Sequence, residues 1–231
     1  IRIARAIMSE KKEEMPLGPI EVKFHYVDFA KQEMAELIYT PANPNAYSYL
    51  IWNEKSKDFK TANEWLIEKS GTRIFPPSKS ERFLEDMMIP VVEDKEDFEA
   101  KIAKFDPKAL DLRIDAFLKR WFVMPDNYIL TLRLFIKFSW VMEQSYMMPY
   151  LSMFGDRGTG KTMVGIFLSW LCRFPYFNKA GATPAVLARS LDLIRGVAIL
   201  DESDFYLSAT EETASFMRIM RGYHADATYD V

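Results

Sequence analysis

Gly155-Asp156-Arg157-Gly158-Thr159-Gly160-Lys161-Thr162 is the stretch on which the reading of this chain turns. The apolar run Tyr150-Leu151-Ser152-Met153-Phe154 precedes it and reads as a short strand, and residues 163–172 continue in a helical pattern. In a strand–loop–helix setting, G-x-x-x-x-G-K-T is a phosphate-binding loop. Glycine at 155, 158 and 160 lets the backbone bend tightly and turn its N–H groups inward around a phosphate. The helix N-terminus adds partial positive charge at the same place. Lys161 is expected to reach the β- and γ-phosphates of ATP, and the Thr162 hydroxyl to ligate Mg²⁺. The whole loop, with Asp156, Arg157 and Thr159, is the expected nucleotide-binding segment.

Downstream, Val197-Ala198-Ile199-Leu200-Asp201-Glu202 supplies a second half. Four apolar residues after Gly196 read as a buried parallel strand, with its acids at the carboxyl end, where open α/β sheets place ligand-binding groups. Asp201 is the expected Mg²⁺ holder, directly or through water. Glu202 is then positioned to polarise the attacking water as general base. Between the halves, residues 176–179 read as a short strand. Thr183 reads as a helix N-cap with Pro184 at the first helical position, and Gly196 stands just past the helix end.

The order is strand, phosphate loop, helix, short strand, helix, acidic strand. It resembles the additional-strand P-loop ATPases, the division that contains the AAA+ proteins. A glutamate directly after the magnesium aspartate is less expected in small-molecule kinases. Thr183-Pro184-Ala185-Val186-Leu187-Ala188-Arg189, followed by Ala198-Ile199-Leu200-Asp201-Glu202-Ser203-Asp204, resembles replication-associated ATPase domains of phages, plasmids and archaeal elements. Phe216-Met217-Arg218-Ile219-Met220-Arg221 before Gly222-Tyr223 extends the likeness, which covers roughly residues 149–223. It implies an AAA+-like or superfamily 3-like helicase domain that binds DNA and works as a homo-oligomeric ring. Arg189 corresponds to an arginine that contacts the nucleotide or a neighbouring subunit, and reads equally as a solvent-facing helix arginine. Arg218 and Arg221, three apart, share one helix face on which DNA or a neighbouring subunit could lie. Where the family follows its Gly-Tyr turn with basic residues, this chain has the faintly acidic segment 225–230. The polar sensor and arginine finger are expected beyond Val231.

The fold expected is therefore α/β: a P-loop NTPase core with a parallel sheet, AAA+-like and C-terminally incomplete, over residues 149–231. A helical segment, 93–148, and a small N-terminal α/β region, 1–92, precede it. In that region residues 1–15 read as a charged helix and residues 20–27 as an alternating strand. Residues 47–52 read as another strand, and Thr61 with Glu64 as a capping box opening a helix closed by Gly71. Leu110, Ile114, Phe117, Leu118 and Trp121 fall at helical spacing and give a core-facing stripe, and residues 128–142 are expected to form a buried helix after Pro125. The acidic run 93–99 reads as a solvated face.

The 231 residues carry a net charge of −3, which excludes a wholly basic nucleic-acid coat but not a motor touching DNA through a few side chains. One cysteine, Cys172, excludes an internal disulfide framework and suits a reducing, cytoplasmic compartment. With only His25 and His224 beside it, no zinc site is spelled. The most apolar stretch is broken by Arg133 and Lys137, so no membrane span is expected. Beginning at Ile1 and stopping soon after the nucleotide site, the chain reads as a piece of something longer. Three readings stand: an ATP-driven DNA helicase or translocase, an ATP-controlled regulatory or defence switch, and a small-molecule kinase.

Overall fold

Short runs of alternating apolar and polar residues, separated by tight turns, build the N-terminal third as sheet. A computed structural model describes residues 19–41, 47–67, 71–77, 89–92, 95–142, 145, 149–178 and 184–201. The strands β1 (Ile20–Val22), β2 (His25–Asp28), β3 (Glu33–Tyr39), β4 (Tyr47–Asn53), β5 (Asp58–Ala62), β6 (Trp65–Ile67) and β7 (Thr72–Phe75) come first. Strands β2 to β5 form an antiparallel meander. Gln32 and Lys57, both with left-handed backbone, make two of its turns, the tight reversals that antiparallel neighbours allow. In the second sheet β7 lies between β1, parallel to it, and β6, antiparallel. Phe24, Leu37, Tyr49, Ile51, Trp65 and Ile74 fill the core.

The middle of the chain is helical: α1 (Lys95–Ala103), α2 (Pro107–Trp121) and α3 (Asp126–Ser139). The Asp106 side chain caps α2 by accepting from the Lys108 N–H, and Pro107 takes the first helical position. Ile114 and Leu118 of α2 pack with Ile129, Leu132 and Ile136 of α3 and with Val164 and Leu168 of α4 (Lys161–Leu171). Two ion pairs bind α2 to α3: Arg133 with Asp115 at 2.5 Å and Lys137 with Asp111 at 2.6 Å.

Beyond α4 come β8 (Tyr176–Asn178), α5 (Pro184–Ile194) and β9 (Ala198–Leu200), with β8 and β9 paired in parallel. The two-residue period of the strands sends Phe177 and Ile199 toward the α2–α4 core. Tyr176, Ala198 and Leu200 face Leu187 and Leu191 of α5. This pair is thus covered by a helix on each face, the condition under which parallel strands persist.

The expected P-loop NTPase core with a parallel sheet is overturned. Among the described residues the largest sheet is the antiparallel β2–β5 meander, and parallel pairing is confined to β8–β9, β1–β7 and the isolated Tyr39–Val91 bridge. The apolar run before the phosphate loop forms no strand; residues 149–156 are irregular, and Phe154 is 88% exposed. Hydrophobic character without a pairing edge and a covering face leaves a segment outside any sheet. Residues 20–27 divide into β1 and β2, which join different sheets. The helix expected after Thr61 is instead the strand β6, set by the pairing of Trp65 with Ile74. The described residues of the N-terminal region, 19–41, 47–67 and 71–77, accordingly contain strands and turns and no helix. The helix expected over 1–15 lies outside the described residues. No helix among them is long and apolar enough to cross a membrane.

Candidate functional site

The loop 155–162 turns into α4 through two glycines with left-handed backbone, Gly158 at φ 78° and Gly160 at φ 90°. Gly160 is the N-cap, a conformation that any side chain would strain. The loop is closed on itself by Thr159, whose hydroxyl donates to the Asp156 carbonyl at 2.8 Å. Lys161 folds back over it: Nζ donates to the Gly155 carbonyl at 2.6 Å and the Asp156 carbonyl at 2.8 Å. An ammonium held by neutral carbonyls at the mouth of a helix N-terminus is a cation ready to exchange them for anionic oxygens, which bind it more strongly. Asp156, Arg157 and Thr159 all have exposed side chains, so the loop presents them to solvent beside Lys161 and the helix N-terminus.

The second half meets the first through one contact. Thr162 Oγ1 donates to Asp201 Oδ1 at 3.2 Å across 39 positions of sequence. Asp201 stands directly after β9, and β9 is fixed against α4 by the approach of Ile199 to Gly165. A Cβ at Gly165 would lie 3.2 Å from both the Ile199 methyl and the Phe177 ring. The packing of helix on strand thus sets the distance between hydroxyl and carboxylate. A hydroxyl and a carboxylate so placed are hard oxygen donors of the kind that would hold Mg²⁺. Among the described residues no group of three or more His, Cys, Asp or Glu could hold a metal alone. Magnesium does not ask for one, since it takes one or two protein ligands and completes its shell with phosphate oxygens and water.

Of the residues singled out in sequence, the structure brings together Gly155, Asp156, Thr159, Gly160, Lys161, Thr162 and Asp201, with Arg157 and Gly158 in the same loop. Arg189 lies on the exposed side of α5. Glu202, Arg218 and Arg221 lie outside the described residues. Sequence reasoning passed over Gly165, whose missing side chain permits the close helix–strand contact; a glycine amid strong helix formers was the available sign. It also passed over Arg173, just past α4. This arginine is 1% exposed, and its guanidinium bonds Glu36 of β3, with Nε to Oε1 at 2.9 Å. Nothing in the local sequence marks that partner, 137 positions away.

No family model, curated protein or solved structure matches the chain.

Proposed function

We propose that the protein binds and hydrolyses ATP, and that it is a motor acting on DNA, a helicase or translocase of a mobile element or virus. The observation that carries the reading is the Thr162–Asp201 contact beside the back-folded Lys161. It places a cation, a hydroxyl and a carboxylate at the N-terminus of one helix, each suited to a different part of a magnesium-bound triphosphate. Lys161 neutralises the β- and γ-phosphates, and the loop amides hold them in register. Thr162 and Asp201 hold Mg²⁺, which supplies charge neutralisation on the phosphate oxygens. Glu202, next along the chain, orients water and takes its proton. The motor assembles as a homo-oligomeric ring in the cytoplasm, a setting that suits its lone reduced cysteine.

A nucleotide-controlled switch is the second reading. The Arg173–Glu36 bond favours it, because it joins the far end of the phosphate-loop helix to the N-terminal sheet. One experiment separates the two: ATP hydrolysis with and without single-stranded DNA, alongside the mass in solution. Stimulation by DNA in a ring-sized species is expected of the motor, while ATP-driven assembly without stimulation points to the switch. Lys161→Ala is expected to weaken ATP binding about a hundredfold, the loss of a charge-assisted bond to phosphate. Glu202→Gln is expected to bind normally and turn over negligibly. Unchanged ATP affinity in the first variant would remove the loop from the site.

A further inference from the structure

Helix α2 carries a face that the nucleotide site does not use. Both of its carboxylates, Asp111 and Asp115, are turned inward and neutralised by Lys137 and Arg133 of α3. The opposite face is exposed and holds Lys108, Arg113, Lys119 and Arg120, with Ala109, Leu112 and Ala116 between them. Lys119 is paired with Asp126 at 2.6 Å. Lys108, Arg113 and Arg120 form no ion pair among the described residues. The segregation leaves a cationic stripe about 18 Å long on a protein of net negative charge. Ala109 and Ala116 leave an approaching backbone access to the cations, and the exposed Leu112 adds an apolar surface among them.

At the C-terminal end of α2, beside the stripe, stands Trp121, expected to face the core but 58% exposed. The Arg120 guanidinium lies over its ring at 5.6 Å, and its indole packs against Phe167 at 5.7 Å between centroids. Phe167 is buried on α4, roughly two turns after Lys161. An exposed indole held by a buried ring beneath it is a rigid platform for stacking. Beside arginines without an acidic partner among the described residues, it matches what recognises single-stranded nucleic acid: cations for phosphates and an aromatic face for an unpaired base. Duplex DNA offers no free base to stack, and an acidic peptide has no use for the indole.

We infer that the outer face of α2, through Arg113, Arg120 and Trp121, is a binding surface for single-stranded nucleic acid. This rests on the motor reading and gives it a location: a strand on this face touches, through Trp121 and Phe167, the helix that begins at the phosphate loop. The probe is a fluorescently labelled oligo(dT), titrated by anisotropy over a range of salt against the protein, R113E/R120E and W121A. Each variant's melting temperature serves as a check on folding. R113E/R120E is expected to bind at least tenfold more weakly, with a log K against log salt slope shallower by about 1.4, the loss of two phosphate contacts on a single strand. W121A is expected to lose about tenfold with its slope unchanged, because stacking releases no counterions. Full affinity in both folded variants overturns the assignment, as does tighter binding of a duplex of the same length. ATP hydrolysis by the wild-type protein without nucleic acid distinguishes the failures. Hydrolysis without oligo(dT) binding removes this surface but leaves the ATPase, whereas oligo(dT) binding without hydrolysis removes the ATPase but leaves the surface.

Discussion

The Cys172 thiol, just past the last turn of α4, is 1% exposed. Burial pushes its pKa up to about 12, against a weaker pull downward from a hydrogen bond with Ser139. Thiolate is the reactive form, so the folded protein should resist alkylation at neutral pH and react only on unfolding. The same shift bears on stability. Below the ordinary thiol value of 9.0 the group is neutral in both states and costs nothing. Above it the unfolded chain ionises while the folded one does not, so stability falls progressively until the folded pKa is passed. Relative to Cys172→Ala, the wild type should lose about 1 kcal/mol more between about pH 9 and about pH 10. Urea titrations of both proteins at the two pH values measure it; parallel losses would show that the thiol is accessible to solvent.

Among elements, α4 carries most of the site, and its position depends on Gly165. Gly165→Ala should change stability little, since a gain in helix propensity of about 1 kcal/mol opposes a Cβ squeezed between Ile199 and Phe177. Gly165→Leu should cost about 1–3 kcal/mol by overpacking and should move α4 off β9. Separating Thr162 from Asp201 then weakens magnesium-dependent binding more than stability alone explains, which ATP titration with and without Mg²⁺ reads. Elements whose signal is local were legible in sequence: β4, the helices α2 and α5, and the run from Gly160 through α4 to β8; a helix was legible at α3 too, but it is not buried all round, since Tyr128, Leu130 and Leu134 are exposed. Their periodicity and capping residues are contained in the segments themselves. Trp65 shows the opposite case. A capping-box pattern points to a helix there, but pairing with Ile74 and burial of the indole against Tyr26 hold a strand. Residues 150–154 fail for a related reason, because an apolar run becomes a strand only if some edge receives it. The unbroken apolar run 197–200 points to the parallel pairing that β9 makes with β8, but in alternating strands direction is not written in periodicity. It follows from the connections, and the short turns at Gln32 and Lys57 commit the first sheet to antiparallel pairing.

At the scale of the molecule, the N-terminal sheet and the nucleotide region are one packed body at the turn after α4. Phe174 enters the first core beside Phe24, with ring centroids 5.6 Å apart, and adopts a left-handed backbone to do so. Arg173 precedes it, with its N–H on the Ser139 hydroxyl and its guanidinium on Glu36. A buried guanidinium tolerates its surroundings only while its counter-charge is present. Glu36→Gln keeps the shape and removes the charge, so it should destabilise by about 3 kcal/mol, toward the low end for such pairs because Glu36 is 19% exposed. Arg173→Met in the Glu36→Gln background removes the stranded cation and should restore much of that loss, since an apolar pair of similar volume is often as stable as the ion pair. The double-mutant cycle, by urea denaturation, therefore has a definite sign: Arg173→Met stabilises when Glu36→Gln is already present and destabilises in the wild type. If the pair also transmits nucleotide occupancy to the sheet, ATP should protect the amides of β3 and β4 from exchange in the wild type and no longer do so in the double variant, at equal stability. Equal protection in both would leave Arg173–Glu36 as a structural fastening alone, and with it the motor reading would stand ahead of the switch.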